Sequence, residues 1–194
     1  MSISSIGKGL SILICCDFIV AHEWMSFLTY WSVKKNLTDA SVTVACRRGA
    51  TADLFHWARK CSVPLIFHSL EDPNEIRQLC LRNPRAKLSE PLLIVRPSVV
   101  FVRDFEEAGF DVSRLQGSNF EVDGLVSDAR SDNTTVCCDY AGGWGNFNTS
   151  RWINRSSIPF STEDFSARVM APNEKRLAAL WESASRMYQS IIRG

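Results

Sequence analysis

The first hundred residues alternate two hydrophobic patterns, and that alternation limits the architecture more than any other feature of the chain. "LSILICCDFIV" (10–20) is an apolar run broken only by Asp17, the pattern of a strand covered on both faces. "AHEWMSFLTYWSVKKNL" follows, with Trp24, Phe27, Leu28 and Trp31 at i, i+3, i+4 and i+7, which predicts an amphipathic helix. Lys34 and Lys35 stand near its C-terminus, where the helix dipole favours cations. The pattern then repeats. "ASVTVACRR", "VPLIFHS" and "PLLIVRPS" read as strands, and "TADLFHWARKC" and "DPNEIRQLCLRN" as the helices between them. In the last of these Asp72 suits an N-cap and Pro73 the first helical position. Strands joined through helices need crossover connections, so the expectation is an α/β fold: a mostly parallel central sheet with helices on both faces.

After Arg96 the regularity changes. "SVVFVRDF" predicts a further short strand, a second is expected near Phe120 to Val126, and "TTVCCDYAGG" a third. "WGNFNTSRWINRSSIPFS" is a long polar-aromatic loop. From Asn173 the spacing of Leu177, Leu180, Trp181, Ala184, Tyr188 and Ile191 predicts a C-terminal helix, with Asn173 as N-cap and Glu174 in the first turn. With 194 residues and 45% hydrophobic content, the chain suits a single domain. It divides into a regular half (about 10–105), a loop-rich half (about 106–172) and the final helix (173–192).

The net charge of +1, with 22% charged residues, leaves no global electrostatic footprint for nucleic acid or acidic lipid. Seven cysteines contain no C-x-x-C pair, and Cys15-Cys16 and Cys137-Cys138 lie inside apolar runs. Such thiols act as small core residues, which predicts free cysteines in a reducing compartment. The opening Met-Ser-Ile-Ser-Ser has no signal-peptide pattern and the run from Leu10 to Val20 is too short to span a bilayer. A cytoplasmic location with no membrane partner is therefore expected, and the sequons at Asn36, Asn133, Asn148 and Asn154 carry no weight. Dinucleotide, Walker-type, nucleophile-elbow and zinc-protease signatures are all absent, and His22, His56 and His68 are far apart. No cofactor or metal is expected on this count.

In open parallel sheets, ligands bind beyond the carboxyl ends of the strands. That rule selects Asp17, Arg47 with Arg48, His68 with Ser69, and Arg96-Pro97-Ser98. Asp17 can face a base or ribose, or simply cap its strand. His68 is more often a turn residue than a catalyst. Asp123 and Asp128 form a weak carboxylate pair in a segment that is polar throughout.

The stretch "PLLIVRPSVVFVRDF" carries a resemblance. Two apolar runs flank a polar break, and the second ends in a basic-Asp-hydrophobic step. Together with "EWMSFLTYWSVKKNLTDASVTVACRR", it resembles the GT-A type of nucleotide-sugar glycosyltransferase over roughly residues 10 to 105. The resemblance implies a Rossmann-like GT-A sandwich, a nucleotide-sugar partner and a transferase activity. Where that family has Asp-x-Asp, this chain has Arg96-Pro97-Ser98. The family's carboxylates hold a divalent metal against the diphosphate leaving group. Arg96 inverts the charge, so it can bind the diphosphate directly and the divalent metal is not expected. Arg96 can equally be a solvated residue in a proline turn. On this reading Asp17, Arg47, Arg96 and Ser98 contact the donor.

The second candidate segment is "CCDYAGGWGNFNTSRWINRSS". Asp139 closes an apolar strand, and Trp144, Phe147 and Trp152 alternate with Asn146, Asn148, Arg151 and Arg155. Aromatic faces with polar neighbours suit stacking on a sugar or nucleobase; they suit core filling under a loop as well. By the resemblance this segment lies at the acceptor, with Asp139 as general base and Trp144, Asn146, Arg151 and Trp152 as acceptor contacts. A modified nucleic-acid base is one acceptor the pattern admits, alongside a protein or small molecule. Two other readings stay open: a non-catalytic nucleotide or nucleic-acid binding module, and an assembly protein forming homo-oligomers through its C-terminal helix.

Overall fold

A computed structural model of the protein describes residues 10–17, 20–37, 39–89, 92–95, 97, 99–105, 107, 126–127, 137–139 and 172–194. Strand β1 (Ser11–Asp17) is followed by α1 (Val20–Asn36), β2 (Ser41–Arg47), α2 (Ala52–Lys60), β3 (Leu65–His68), α3 (Pro73–Arg82) and β4 (Leu92–Val95). These four strands form one parallel sheet in the order β3-β2-β1-β4. The fold is α/β, as the alternation predicts.

The order has a physical consequence. Two successive crossovers run one way from β1, and the third returns past it to β4. Right-handed crossovers therefore place α1 and α2 on one face and α3 on the other. The core divides accordingly. Ile12, Ile14, Cys16, Val42, Val44 and Cys46 pack with α1 and α2, whereas Leu13 and Ala45 pack with Ile76 and Cys80 of α3. Successive residues of one strand serve opposite layers, so an apolar run without alternation is what this sheet requires.

A second sheet has the order β5-β7-β6, from β5 (Val99–Phe101), β6 (Val126–Ser127) and β7 (Cys137–Asp139). β5 pairs antiparallel with β7, and β6 parallel with β7. Of the strand expected near Phe120 to Val126, Val126 is among the described residues and lies in β6. The C-terminal helix α4 spans Pro172–Arg193, starting one residue before Asn173. Asn173 is therefore inside the helix, not its N-cap: Pro172 has no N–H to leave unsatisfied and suits a first helical position.

Helix α1 departs from the one-sided pattern. Every residue from Glu23 to Tyr30 is buried, Ser26 and Thr29 included. The outward face is covered by α2 and α4. Trp24 meets Trp181 at 5.4 Å and Tyr188 at 5.2 Å, both edge-on, and Phe27 meets Trp57 at 5.4 Å. Trp31 Nε1 donates to Ser183 Oγ at 2.8 Å. Helix α4 thus seals α1 into the interior. Burying each such aromatic contributes about 1.5–3 kcal/mol.

Candidate functional site

The carboxyl edge of the parallel sheet is built by register. Asp17 pairs with Arg47, and Arg47 with His68, so the last residues of β1, β2 and β3 form one row. Adjacent strands lie about 4.8 Å apart, so the row spans roughly 10 Å. Arg47 is three-quarters buried and forms an ion pair with the exposed Glu71, which follows β3. Arg48 takes a left-handed backbone (φ 64°), and Gly49 follows at φ 121°. That geometry costs a non-glycine residue about 1–2 kcal/mol. The Arg48 N–H donates to the His68 carbonyl at 3.0 Å, which ties the two strand ends together.

The fourth strand stops short of this row. The β1–β4 pairing ends at Ile14↔Val95, three residues before Asp17. Beyond it lies the Arg96-Pro97-Ser98 triplet, of which Pro97 is described. Pro97 is buried, and its carbonyl accepts a hydrogen bond of 2.6 Å from Thr29 Oγ1. Pro97, the centre of the polar break, is therefore docked on α1. The next strand is held as well: Ser32 Oγ accepts the Phe101 N–H at 3.0 Å, and Asn36 Nδ2 donates to the Phe101 carbonyl at 2.8 Å.

Of the second candidate segment, the described residues are Cys137–Asp139, in the other sheet. In the β5–β7 register, Asp139 stands across from Val99, the residue immediately after the triplet. Asp139 and Val99 are thus paired although forty residues separate them in sequence. Arg96, Ser98, Trp144, Asn146, Arg151 and Trp152 lie outside the described residues, as do Asp123 and Asp128.

Two features of this edge escape sequence reasoning. Glu23, 3% exposed, accepts hydrogen bonds from both the N–H and the hydroxyl of Thr51, which precedes α2. Burial raises its carboxyl above the ordinary range, and the Thr51 donors offset part of that rise. A carboxylate at a helix N-terminus is favoured by the dipole. The signal was Glu23 in the first turn of α1, directly before the apolar Trp24 and Met25. The other feature is Cys16 and Cys46, whose Sγ atoms are 3.5 Å apart on paired positions of β1 and β2. The hydrogen bond to Cys46 and burial push the Cys16 thiol far up, so it stays protonated. Cys15, Cys16, Cys46, Cys61 and Cys80 are free thiols.

Arg103, in the basic-Asp-hydrophobic step after β5, is 2% exposed. Its Nε lies 3.8 Å from Glu107 Oε1. Glu107 also pairs with Arg176 of α4, and Arg176 donates to the Val102 carbonyl at 3.1 Å. The Arg176 hydrogen bond lowers the Glu107 carboxyl below its ordinary range. This network fastens the end of β5 to the start of α4. Among the described residues, no helix is long and apolar enough to cross a membrane.

No protein-family model matches the chain, and no curated protein matches its sequence. Among solved structures it is similar to the glycosyltransferase GlyE of Streptococcus pneumoniae TIGR4, at 11% identity and a TM-score of 0.35. The match covers 91% of this chain and 44% of GlyE, so the chain spans less than half the length of that protein.

Proposed function

We propose that this protein is glycosyltransferase-like and binds a nucleotide-sugar donor at the carboxyl edge of its parallel sheet. The observation that carries the reading is a convergence. The β1–β2–β3 register aligns Asp17, Arg47 and His68, while the β5–β7 register sets Asp139 across from the residue following Arg96-Pro97-Ser98. In this proposal the segments that resemble the family's donor and acceptor regions face one ligand beyond the carboxyl ends of the parallel strands, where such sheets bind ligands.

In this reading Asp17 and Arg47 hold the nucleotide, and Arg96 and Ser98 hold the diphosphate. Arg96 supplies the positive charge that a divalent metal supplies elsewhere, through two parallel N–H bonds to phosphate oxygens. Donor binding is then metal-independent. Asp139 acts as general base on the acceptor, and Trp144, Asn146, Arg151 and Trp152 form the acceptor platform. A modified nucleic-acid base suits that platform, because aromatic rings stack on any base and arginines meet its phosphates.

The test is a thermal-shift panel of nucleoside diphosphate sugars and free nucleotides on the full chain, with manganese and with chelator. At least one nucleotide sugar is expected to raise Tm, and chelator should leave that shift intact. A shift that needs manganese would overturn metal independence. Failure of every nucleotide to shift Tm would overturn the donor site. Binding without turnover on any acceptor would favour the non-catalytic module.

A further inference from the structure

Strand β3 stands at the outer end of the parallel sheet, and its sequence does nothing to protect that position. Leu65-Ile66-Phe67-His68 carries no lysine, aspartate, glutamate or proline, the residues that keep an exposed edge from pairing. Its one neighbour fixes the backbone directions. The carbonyls of Pro64 and His68 accept the N–H groups of Val44 and Arg48, both at 3.0 Å, so Pro64, Ile66 and His68 turn their main-chain groups toward β2. Those of Leu65 and Phe67 therefore point outward. Among the described residues, no strand lies beyond them.

The side chains make this edge apolar. Phe67 is 46% exposed, and its ring lies 5.4 Å from that of Phe55 on α2, which is 49% exposed. Leu65 packs on the same side, against the α1 and α2 layer. Ala52 and Arg59, one turn to either side of Phe55, are exposed as well. Strand β4, at the other end of the sheet, has no exposed residue.

The edge also matches itself. When two copies meet antiparallel about a two-fold axis through Ile66, Leu65 of each copy stands opposite Phe67 of the other. Residues so placed form hydrogen-bonded pairs, which use every outward N–H and C=O of the strand. Their side chains meet on the α2 face, where aromatic and aliphatic cross-strand neighbours stabilise a pairing. The same axis lays the end of α2 in one copy beside the segment that follows β3 in the other. The first carries the exposed Arg59 and Lys60, the second the exposed Glu71 and Asp72. Opposite charges thus face each other at both ends of the seam, a complement that this chain brings on both sides.

We propose that this protein forms a two-fold dimer by antiparallel pairing of β3 with β3 of a second copy, joining the two parallel sheets into one. The pairing does not depend on the donor site. A strand of 4 residues makes a small seam, so reversible association in the micromolar range is expected.

The test is sedimentation equilibrium of the full chain across the micromolar range, which should show a monomer–dimer equilibrium. Phe67→Lys is expected to weaken it more than about tenfold, since the lost aromatic counts twice in a two-fold contact. Reversing the helix end, Arg59→Glu with Lys60→Glu, should weaken it several-fold through exposed residues and leave Tm unchanged. Met187→Lys, at an exposed position of α4, should change nothing. Amide exchange read residue by residue should slow at Leu65 and Phe67 as concentration rises. A chain that stays monomeric throughout overturns the proposal. So does a dimer that survives both Phe67→Lys and the helix-end reversal, and so does one that Met187→Lys alone dissolves, which lies on α4 instead. If Phe67→Lys does not fold, the helix-end reversal and the exchange at Leu65 and Phe67 decide between the same outcomes.

Discussion

The Glu23 carboxylate, in the first turn of α1, accepts both the N–H and the hydroxyl of Thr51, at the threshold of α2. The two helices are thereby joined at their N-terminal ends by a carboxyl group that is almost wholly buried. Burial raises its pKa, the Thr51 donors oppose the rise, and Asp53 adds to it. A carboxyl that titrates higher in the folded state takes up a proton on folding. Its contribution to stability is present below the unfolded value, about 4.3, and is lost as pH rises through the folded value. Glu23→Gln cannot titrate. The Tm of the variant minus that of the wild type should therefore grow with pH across about pH 4 to 7. Thermal melts in that range check the sign, and a flat or falling difference would refute it.

Helix α4 should be integral to the domain. Trp181 is 1% exposed and packs edge-on against Trp24. Trp181→Ala is expected to cost about 3–5 kcal/mol in denaturant unfolding. Met187, on the same helix and 39% exposed, should cost under about 0.5 kcal/mol when changed to alanine. Equal effects would mean that the helix does not seal α1 as described.

Arg47 faces a competitor in the Glu71 carboxylate. If Arg47 contacts the donor, Arg47→Ala should weaken nucleoside diphosphate binding by about tenfold or more, the loss of a charge-assisted hydrogen bond. Glu71→Gln should tighten it about two- to fivefold, because an exposed pair of this kind is worth at most about 1 kcal/mol. Calorimetric titration of the two variants reads both signs. Weaker binding in Glu71→Gln would place Glu71 on the ligand's side of the interaction.

The thiols should divide by burial. Cys16, Cys46 and Cys80 are buried, and burial pushes the Cys80 thiol up to about 11. At neutral pH these three should resist a thiol reagent in the native state and react after denaturation without reductant. Mass mapping of the labelled sites checks this. Rapid native labelling of Cys46 would contradict the packing between β1 and β2.

The order of the parallel elements was legible in the sequence, because a strand buried on both faces must be apolar throughout and a crossover helix must follow it. Glycine and proline breaks and the N-terminal Pro73 set the boundaries to within a few residues. The residues at the ends of those strands were legible too: polar residues follow the last apolar position, so Asp17, Arg47 and His68 could be named as strand ends before any register was known. The pairing of β5 with β7 was not legible. Short strands far apart in the chain carry no mark of their partner, and the pairing of Asp139 with Val99 exists only in the folded sheet. The same holds for α1. Periodicity marks Trp24, Phe27, Leu28 and Trp31 as one face, but it has no means of showing that α4 returns to cover the other. Nothing in the spacing of Thr29, Ser32 and Asn36 marks what they bind. Tertiary packing buries Thr29 and Ser32 and half-buries Asn36, where an unpaired polar group is costly, and they hydrogen-bond to the backbone of Pro97 and of Phe101 in β5. Local pattern determined which segments became strands and helices, since that depends on each segment's own apolar spacing. Only the assembled structure decided which of them meet, because that depends on surfaces supplied by distant parts of the chain.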